Sequence, residues 1–170
     1  YVYNGVLAGL VSITSPCAVV SPFGAIVVGL IGSLVYVGAS KGVKAAGIDD
    51  AVDAFAVHGA CGAWGVIACG LFATPFYYSV SYYGDRKDDC AGIFYGGKAS
   101  GSFAAAFACV FVILAWVGST MGALFGTLKA TGLLRVSQEI EDAGLDDSKH
   151  GGAMSEVVAA SVDGVKATEA

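Results

Sequence analysis

An all-α, polytopic transmembrane helix bundle with a polar tail is the fold class this 170-residue sequence predicts, and three observations predict it. Hydrophobic residues make up 56% of the chain and charged residues 14%, against about 25% charged in a soluble domain. No Asp, Glu, Lys or Arg occurs in residues 1–40, 54–84 or 99–128. Each of these blocks exceeds the roughly 20 apolar residues that a membrane-crossing helix needs. The net charge of −5 gathers at one end, where residues 129–170 hold eight acidic side chains against four basic ones. This distribution excludes disorder over the body of the chain, and membrane lipid is its expected surrounding. With no basic patch anywhere, a nucleic-acid partner is not expected.

The first block is broken at Ser15-Pro16 and Ser21-Pro22, where proline removes a backbone donor and turns the preceding residue away from helix. The breaks predict helices over about 1–15 and 22–40. At 1.5 Å per residue the first reaches only about 22 Å of a core roughly 30 Å thick. Tyr1 stands at the edge of an apolar run with nothing basic before it, unlike a signal peptide, so the chain reads as the back part of a longer membrane protein. A third helix is expected over 50–73, with Gly47 as a break before it and Asp50 and Asp53 at the N-cap and N3 positions. Residues 75–98 read as an interfacial loop carrying Tyr77, Tyr78 and Tyr82, and a fourth helix follows over 100–129. These helices make a transmembrane region over 1–129. The tail, 130–152, should hold a short helix capped by Ser137 and ended by Gly144, and 153–170 reads as disordered. Basic residues near the helix ends, Lys41, Lys44, Lys129 and Arg135 on one side against Arg86, Lys87 and Lys98 on the other, lean toward a cytoplasmic tail.

His58 is the one ionisable side chain inside an apolar stretch, about 12 Å into the helix expected from Asp50. Such a residue usually faces a protein interior or a substrate path. The structural alternative is a histidine merely bonded to a neighbouring helix. Asp49, Asp50 and Asp53 are better explained as first-turn carboxylates than as ion ligands, and helical spacing puts Asp50 on the side of Ala54 and His58. Gly59, Gly62 and Gly65, three apart, predict a close-packing seam. Phe103, Phe107, Phe111 and Leu114 read as packing or lipid contact. Five cysteines without CxxC or Cys/His spacing imply neither a disulfide framework nor a zinc site. No nucleophile–base set, paired catalytic carboxylates, phosphate loop or dinucleotide fingerprint is present, so no enzyme activity and no cofactor are expected.

Three stretches together resemble the ammonium transporter family: NGVLAGLV at 4–11, IDDAVDAFAVHG at 48–59, and a tail running from Leu134-Arg135-Val136 through GLDDSKHGG at 144–152. The resemblance implies an eleven-helix subunit of a plasma-membrane homotrimer, with one pore per subunit, of which this chain would hold the last four helices and the cytoplasmic tail. His58 matches the second of two pore histidines along which ammonium, stripped to ammonia, and its proton are thought to pass. Asp50 and Asp53 match an acidic pair at the inner end of that helix. The tail residues Arg135, Gly144, Asp146, Ser148 and His150 match a regulatory arm, with Ser148 at the place of a hydroxyl that a kinase phosphorylates in plant-type relatives. Gly132 is displaced by one residue from the family's usual Gly-Leu-Arg-Val pattern. The alternative under the same resemblance is an ammonium sensor that transports little.

Overall fold

The computed structural model of this chain describes residues 2–82 and 84–145, and every regular element among them is helical. The described part divides into two units, one running through Trp116 and the other beginning at Val117.

In the first unit α1 (Val2–Thr14) and α2 (Pro22–Ala45) flank the proline-containing turn. Pro22 sits in the first helical turn, where its missing N–H is no loss, and the Ser21 side chain accepts the Gly24 amide at 3.1 Å. α2 runs five residues past the expected end because Lys41 and Lys44 lie in its last turns and do not interrupt it. It ends instead at Gly47, whose φ of +68° suits a glycine. The Ile48 and Gly47 amides bond back to the Val43 and Lys44 carbonyls at 3.2 and 3.0 Å, the paired geometry that satisfies a helix C-terminus.

The third span departs from expectation at its start. Asp50 is not its N-cap and Asp53 is not in its first turn; a π-helical turn, Phe55–Ala60, opens it and runs directly into α3 (Cys61–Phe72). Residues 75–98 are not simply a loop. Thr74 accepts the Tyr77 amide at 3.2 Å and Pro75 occupies the first turn of α4 (Pro75–Ser81), so one Thr-Pro pair both stops α3 and starts α4. A second π-helical turn, Ala99–Phe103, leads into α5 (Ala104–Ala130). Among the described residues, three segments are long and apolar enough to cross a membrane: Pro22–Ala45, Phe55–Phe72 and Ala99–Ala130.

α1 packs against both α2 and α3, and Ser12 is the point of closest approach. A Cβ on Gly65 would stand 2.5 Å from the Ser12 carbonyl oxygen, and one on Gly32 would stand 2.8 Å from the Ser12 Cβ. Bare backbone at both positions is therefore what lets three helices meet. The other two glycines of the seam do not pack this way, since Gly62 has only Val11 nearby at 3.9 Å and Gly59 faces the Phe55 ring. Ala8, Tyr36, Ala56, Val57 and Cys61 form the buried cluster below. Trp64 ties α3 to α2 by donating Nε1–H to the Val28 carbonyl at 3.0 Å. At the far end of α3 the Thr74 amide bonds Val19 O and the Gly92 amide bonds Ala73 O, each at 2.8 Å. Phe107, Phe111, Leu114 and Trp116 are exposed.

In the second unit, Thr127 and Thr131 hydroxyls bond back to the Ala123 and Thr127 carbonyls. α6 (Gln138–Ala143) follows Ser137, whose hydroxyl makes no capping bond; its carbonyl accepts the Ile140 and Glu141 amides instead. Gly144, with φ +85°, follows the helix, and Arg135 pairs with Glu141. Asp146, Ser148, His150 and the stretch read as disordered, 153–170, lie outside the described residues.

Candidate functional site

Asp53 ties three helices together at the end where the third span begins. Its backbone is left-handed, φ +57°, a region that aspartate enters more readily than most residues because its short side chain can bond locally. That turn aims the carboxylate at α2 and α1. Oδ2 accepts from the Tyr36 hydroxyl at 2.8 Å and from Asn4 Nδ2 at 3.4 Å. Oδ1 accepts from the Ser40 hydroxyl at 2.7 Å and lies 3.6 Å from Lys44 Nζ. Tyr36 and Ser40 are both fully buried, so each needs the acceptor that Asp53 supplies.

The hydrogen bond from Ser40, and then that from Tyr36, hold the Asp53 carboxyl below its ordinary value of 3.8, with Lys44 and Asn4 acting in the same direction against desolvation. A carboxyl whose folded value is depressed contributes stability above its ordinary value and loses it as pH falls through the lowered one. The full-length protein should accordingly melt at lower temperature as pH drops below about 4, and Asp53→Asn should show a shallower acid dependence. Identical pH profiles for the two proteins would remove Asp53 from acid sensitivity.

Asp50 supports the same end from outside the helix. Its Oδ1 and Oδ2 accept the Ala54 and Phe55 amides at 2.7 and 2.9 Å, satisfying two donors that a helix start leaves free. The Val57 amide then bonds the Asp53 carbonyl at 2.9 Å. The Asp50 carboxylate and the Asp53 backbone carbonyl thus pin the beginning of the π-helical turn that contains His58, while the Asp53 carboxylate ties that end to α1 and α2. Ala56 and Val57 point from this turn into the core and are buried, whereas His58 and Gly59 face away and are exposed. Among the described residues the His58 imidazole has no hydrogen-bond partner. π-helical turns of this kind occur often at functional sites.

Sequence reasoning singled out His58, Asp50 and Asp53 but missed Asn4, Tyr36, Ser40 and Lys44. A signal for the last three was present: they lie four apart on α2 and therefore on one face, a polar line at the end of an apolar helix. No spacing within the third segment could reveal them, because their link to Asp53 is tertiary. In the tail, Arg135 and Gly144 belong to the second unit. The exposed Arg135–Glu141 pair contributes at most about 1 kcal/mol. A cleft of about 590 Å³ lined by Arg86, Asp88, Asp89, Lys98 and Ser100 belongs to the stretch after α4 and includes none of the singled-out residues. No cluster of metal-ligating side chains occurs among the described residues.

Residues 1–155 match the Ammonium Transporter Family. The chain is similar to "Ammonium transporter 1 member 2" of Arabidopsis thaliana, 46% identical over 151 residues, which is 89% of this chain and 29% of that protein. It is also similar to "Putative ammonium transporter 1 member 5" of the same plant, 42% identical over 89% of this chain and 30% of the relative. With "Ammonium transporter 1 member 1" of Oryza sativa subsp. japonica it shares 41% identity over 89% of its length and 30% of the relative's. The chain therefore spans about three-tenths of the length of these curated relatives.

Proposed function

Because this chain belongs to the ammonium transporter family, we propose that it supplies part of a path by which ammonium or ammonia crosses the membrane, with His58 on the wall of that path. It is an integral membrane protein, with three apolar segments long enough to span. The observation that carries the reading is His58 itself, an ionisable side chain in an apolar span, exposed on a π-helical turn whose start is held by Asp50 and Asp53. Ammonium is costly to carry through hydrocarbon as an ion. A neutral imidazole offers one nitrogen that accepts a proton and another that donates one, so it passes ammonia or a proton onward without holding permanent charge. Asp50 and Asp53 act as supports that fix the turn. Asp53 is occupied by Tyr36, Ser40, Asn4 and Lys44, which makes it a brace rather than a substrate ligand.

In this reading the protein works as a homotrimer in the plasma membrane with its tail in the cytoplasm, and the tail segment around Arg135, Gly144, Asp146, Ser148 and His150 regulates flux. Phosphorylation of Ser148 by a kinase would add close to two negative charges beside Asp146 and Asp147, expelling a docked segment. The full-length protein should restore growth of transporter-deficient cells on low ammonium. Well-expressed, membrane-localised protein with no uptake would overturn transport. Ser148→Asp should lower uptake relative to Ser148→Ala; equal flux in the two would remove the switch.

A further inference from the structure

At the start of the third span a left-handed aspartate is followed almost directly by a π-helical turn. The φ of +57° at Asp53 costs an L residue free energy and persists where the surroundings hold it. Two bonds of ordinary length reach it from another helix: the Tyr36 hydroxyl donates to Oδ2 at 2.8 Å and the Ser40 hydroxyl to Oδ1 at 2.7 Å. Both donors are buried and lie four residues apart on α2. Asn4 Nδ2, 3.4 Å from Oδ2 and 3.5 Å from the Val52 carbonyl, and Lys44 Nζ, 3.6 Å from Oδ1, stand farther off and hold it less firmly. The Asp50 carboxylate bonds the Ala54 and Phe55 amides of its own segment, so it completes the helix start without tying it to a neighbour. Past the turn, α3 is fixed separately, by Gly65 against Ser12 and by Trp64 Nε1–H on the Val28 carbonyl at 3.0 Å. His58 therefore lies between two anchors.

We infer that Tyr36 and Ser40 are positioning residues for His58: by holding Asp53 left-handed, their hydroxyls keep Phe55–Ala60 in the π register and so set where the imidazole stands. A π turn holds one residue more than an α turn. While Asp53 is tied to α2 that residue cannot leave through the start of the helix, and α3, packed at Ser12 and Val28, cannot turn to absorb it. Once the hydroxyls are gone, Asp53 is free to return to right-handed helix and the extra residue passes out at this end. The residues ahead of Cys61 then turn by up to about 100° and move by about 1.5 Å along the axis. The Asp53 carbonyl carries the effect inward, since it accepts the amide of Val57, next to His58, at 2.9 Å. Ala56 and Val57 are buried in the same turn, but apolar burial is non-directional and fixes the register less sharply than two hydrogen bonds to one carboxylate. The effect on flux rests on the proposal that His58 lines the path; the effect on register does not.

The test compares the full-length protein with its Tyr36→Phe and Ser40→Ala variants by two measurements. Amide hydrogen exchange, read by mass spectrometry, should quicken over residues 54–60 in both variants and stay unchanged over Cys61–Phe72. Unchanged exchange at 54–60, or exchange that quickens along the whole of α3, would overturn the register. Uptake of ammonium and methylammonium against concentration, normalised to surface protein, gives the second reading. Because a misplacement of about 1 Å can cost up to about a hundredfold, each variant is expected to lose about tenfold in maximal ammonium uptake, and its preference between the two substrates should shift. Faster exchange at 54–60 with parental uptake and preference would leave the register standing and overturn the role of His58 in the path. Should Tyr36→Phe fail to reach the surface, Ser40→Ala decides the matter, since it removes a single hydroxyl from the other carboxylate oxygen.

Discussion

Replacing His58 by alanine in the full-length protein is expected to cut ammonium uptake by about ten- to a hundredfold without lowering the amount of folded protein in the membrane. The estimate follows from one interaction: a hydrogen bond to a charged group contributes about 1.5–3 kcal/mol, and about 1.4 kcal/mol corresponds to a tenfold rate. Because His58 makes no hydrogen bond among the described residues, while Ala56 and Val57 beside it carry the packing against α1 and α2, its removal should leave the fold of this unit intact. This separates the transport reading from a structural one. A His58→Ala protein that transports at the parental rate would sink the assignment of His58 to the path, and one that fails to accumulate would show that the residue packs against part of the protein. Uptake of ammonium against methylammonium, normalised to surface protein, reads both outcomes and any change in selectivity.

The second large effect is expected at Gly65. A Cβ there would come within 2.5 Å of the Ser12 carbonyl oxygen, and backbone cannot rotate aside as a side-chain tip can. Gly65→Ala must push α1 away from α3, an overpacking cost of about 1–3 kcal/mol, seen as a clear loss of thermal stability in detergent. Gly62→Ala is its control. The nearest atom to a Cβ at Gly62 is Val11 Cγ1 at 3.9 Å, so there the better helix propensity of alanine, about 1 kcal/mol, should make the change neutral or stabilising. Equal losses at the two positions would show that helix contact at Ser12 does not set the stability of this unit.

Much of this architecture was legible because hydrocarbon tolerates charge poorly. The charge-free blocks located the spans, and the Ser-Pro steps marked the turn between α1 and α2. What the chain concealed has physical causes. Lys41 and Lys44 look like the end of a span, yet α2 continues through them, since a lysine at a helix end can reach toward the polar boundary and Lys44 finds Asp53. Asp50 and Asp53 look like residues of one capped turn. Instead one caps from five residues upstream and the other flips to positive φ and leaves the helix altogether. The side-chain hydrogen bonds that brace Asp53 span 13 to 49 residues of sequence separation, beyond any local pattern. α4 was hidden because tyrosines and a proline resemble interface loop, although Thr74-Pro75 is equally a helix start.

The π-helical turn at Phe55–Ala60 has a consequence for how this span counts its residues. An α-helix advances about 100° per residue, and a turn closed by i→i+5 bonds accommodates one residue more than an α turn does. Everything from Cys61 onward is therefore out of phase with what precedes it, as though the helix had slipped one tooth of a gear. Gly59 and Gly65 fall in different registers, which is why an even three-residue spacing ends against Phe55 in one case and against Ser12 in the other. The same slip makes residues 55–60 a tolerant place for a change in length: losing one residue there would let the turn relax to α and return α3 to its original rotation. A deletion within Cys61–Phe72 would have no such slack and would swing Trp64 away from Val28 and the end of α3 away from Val19.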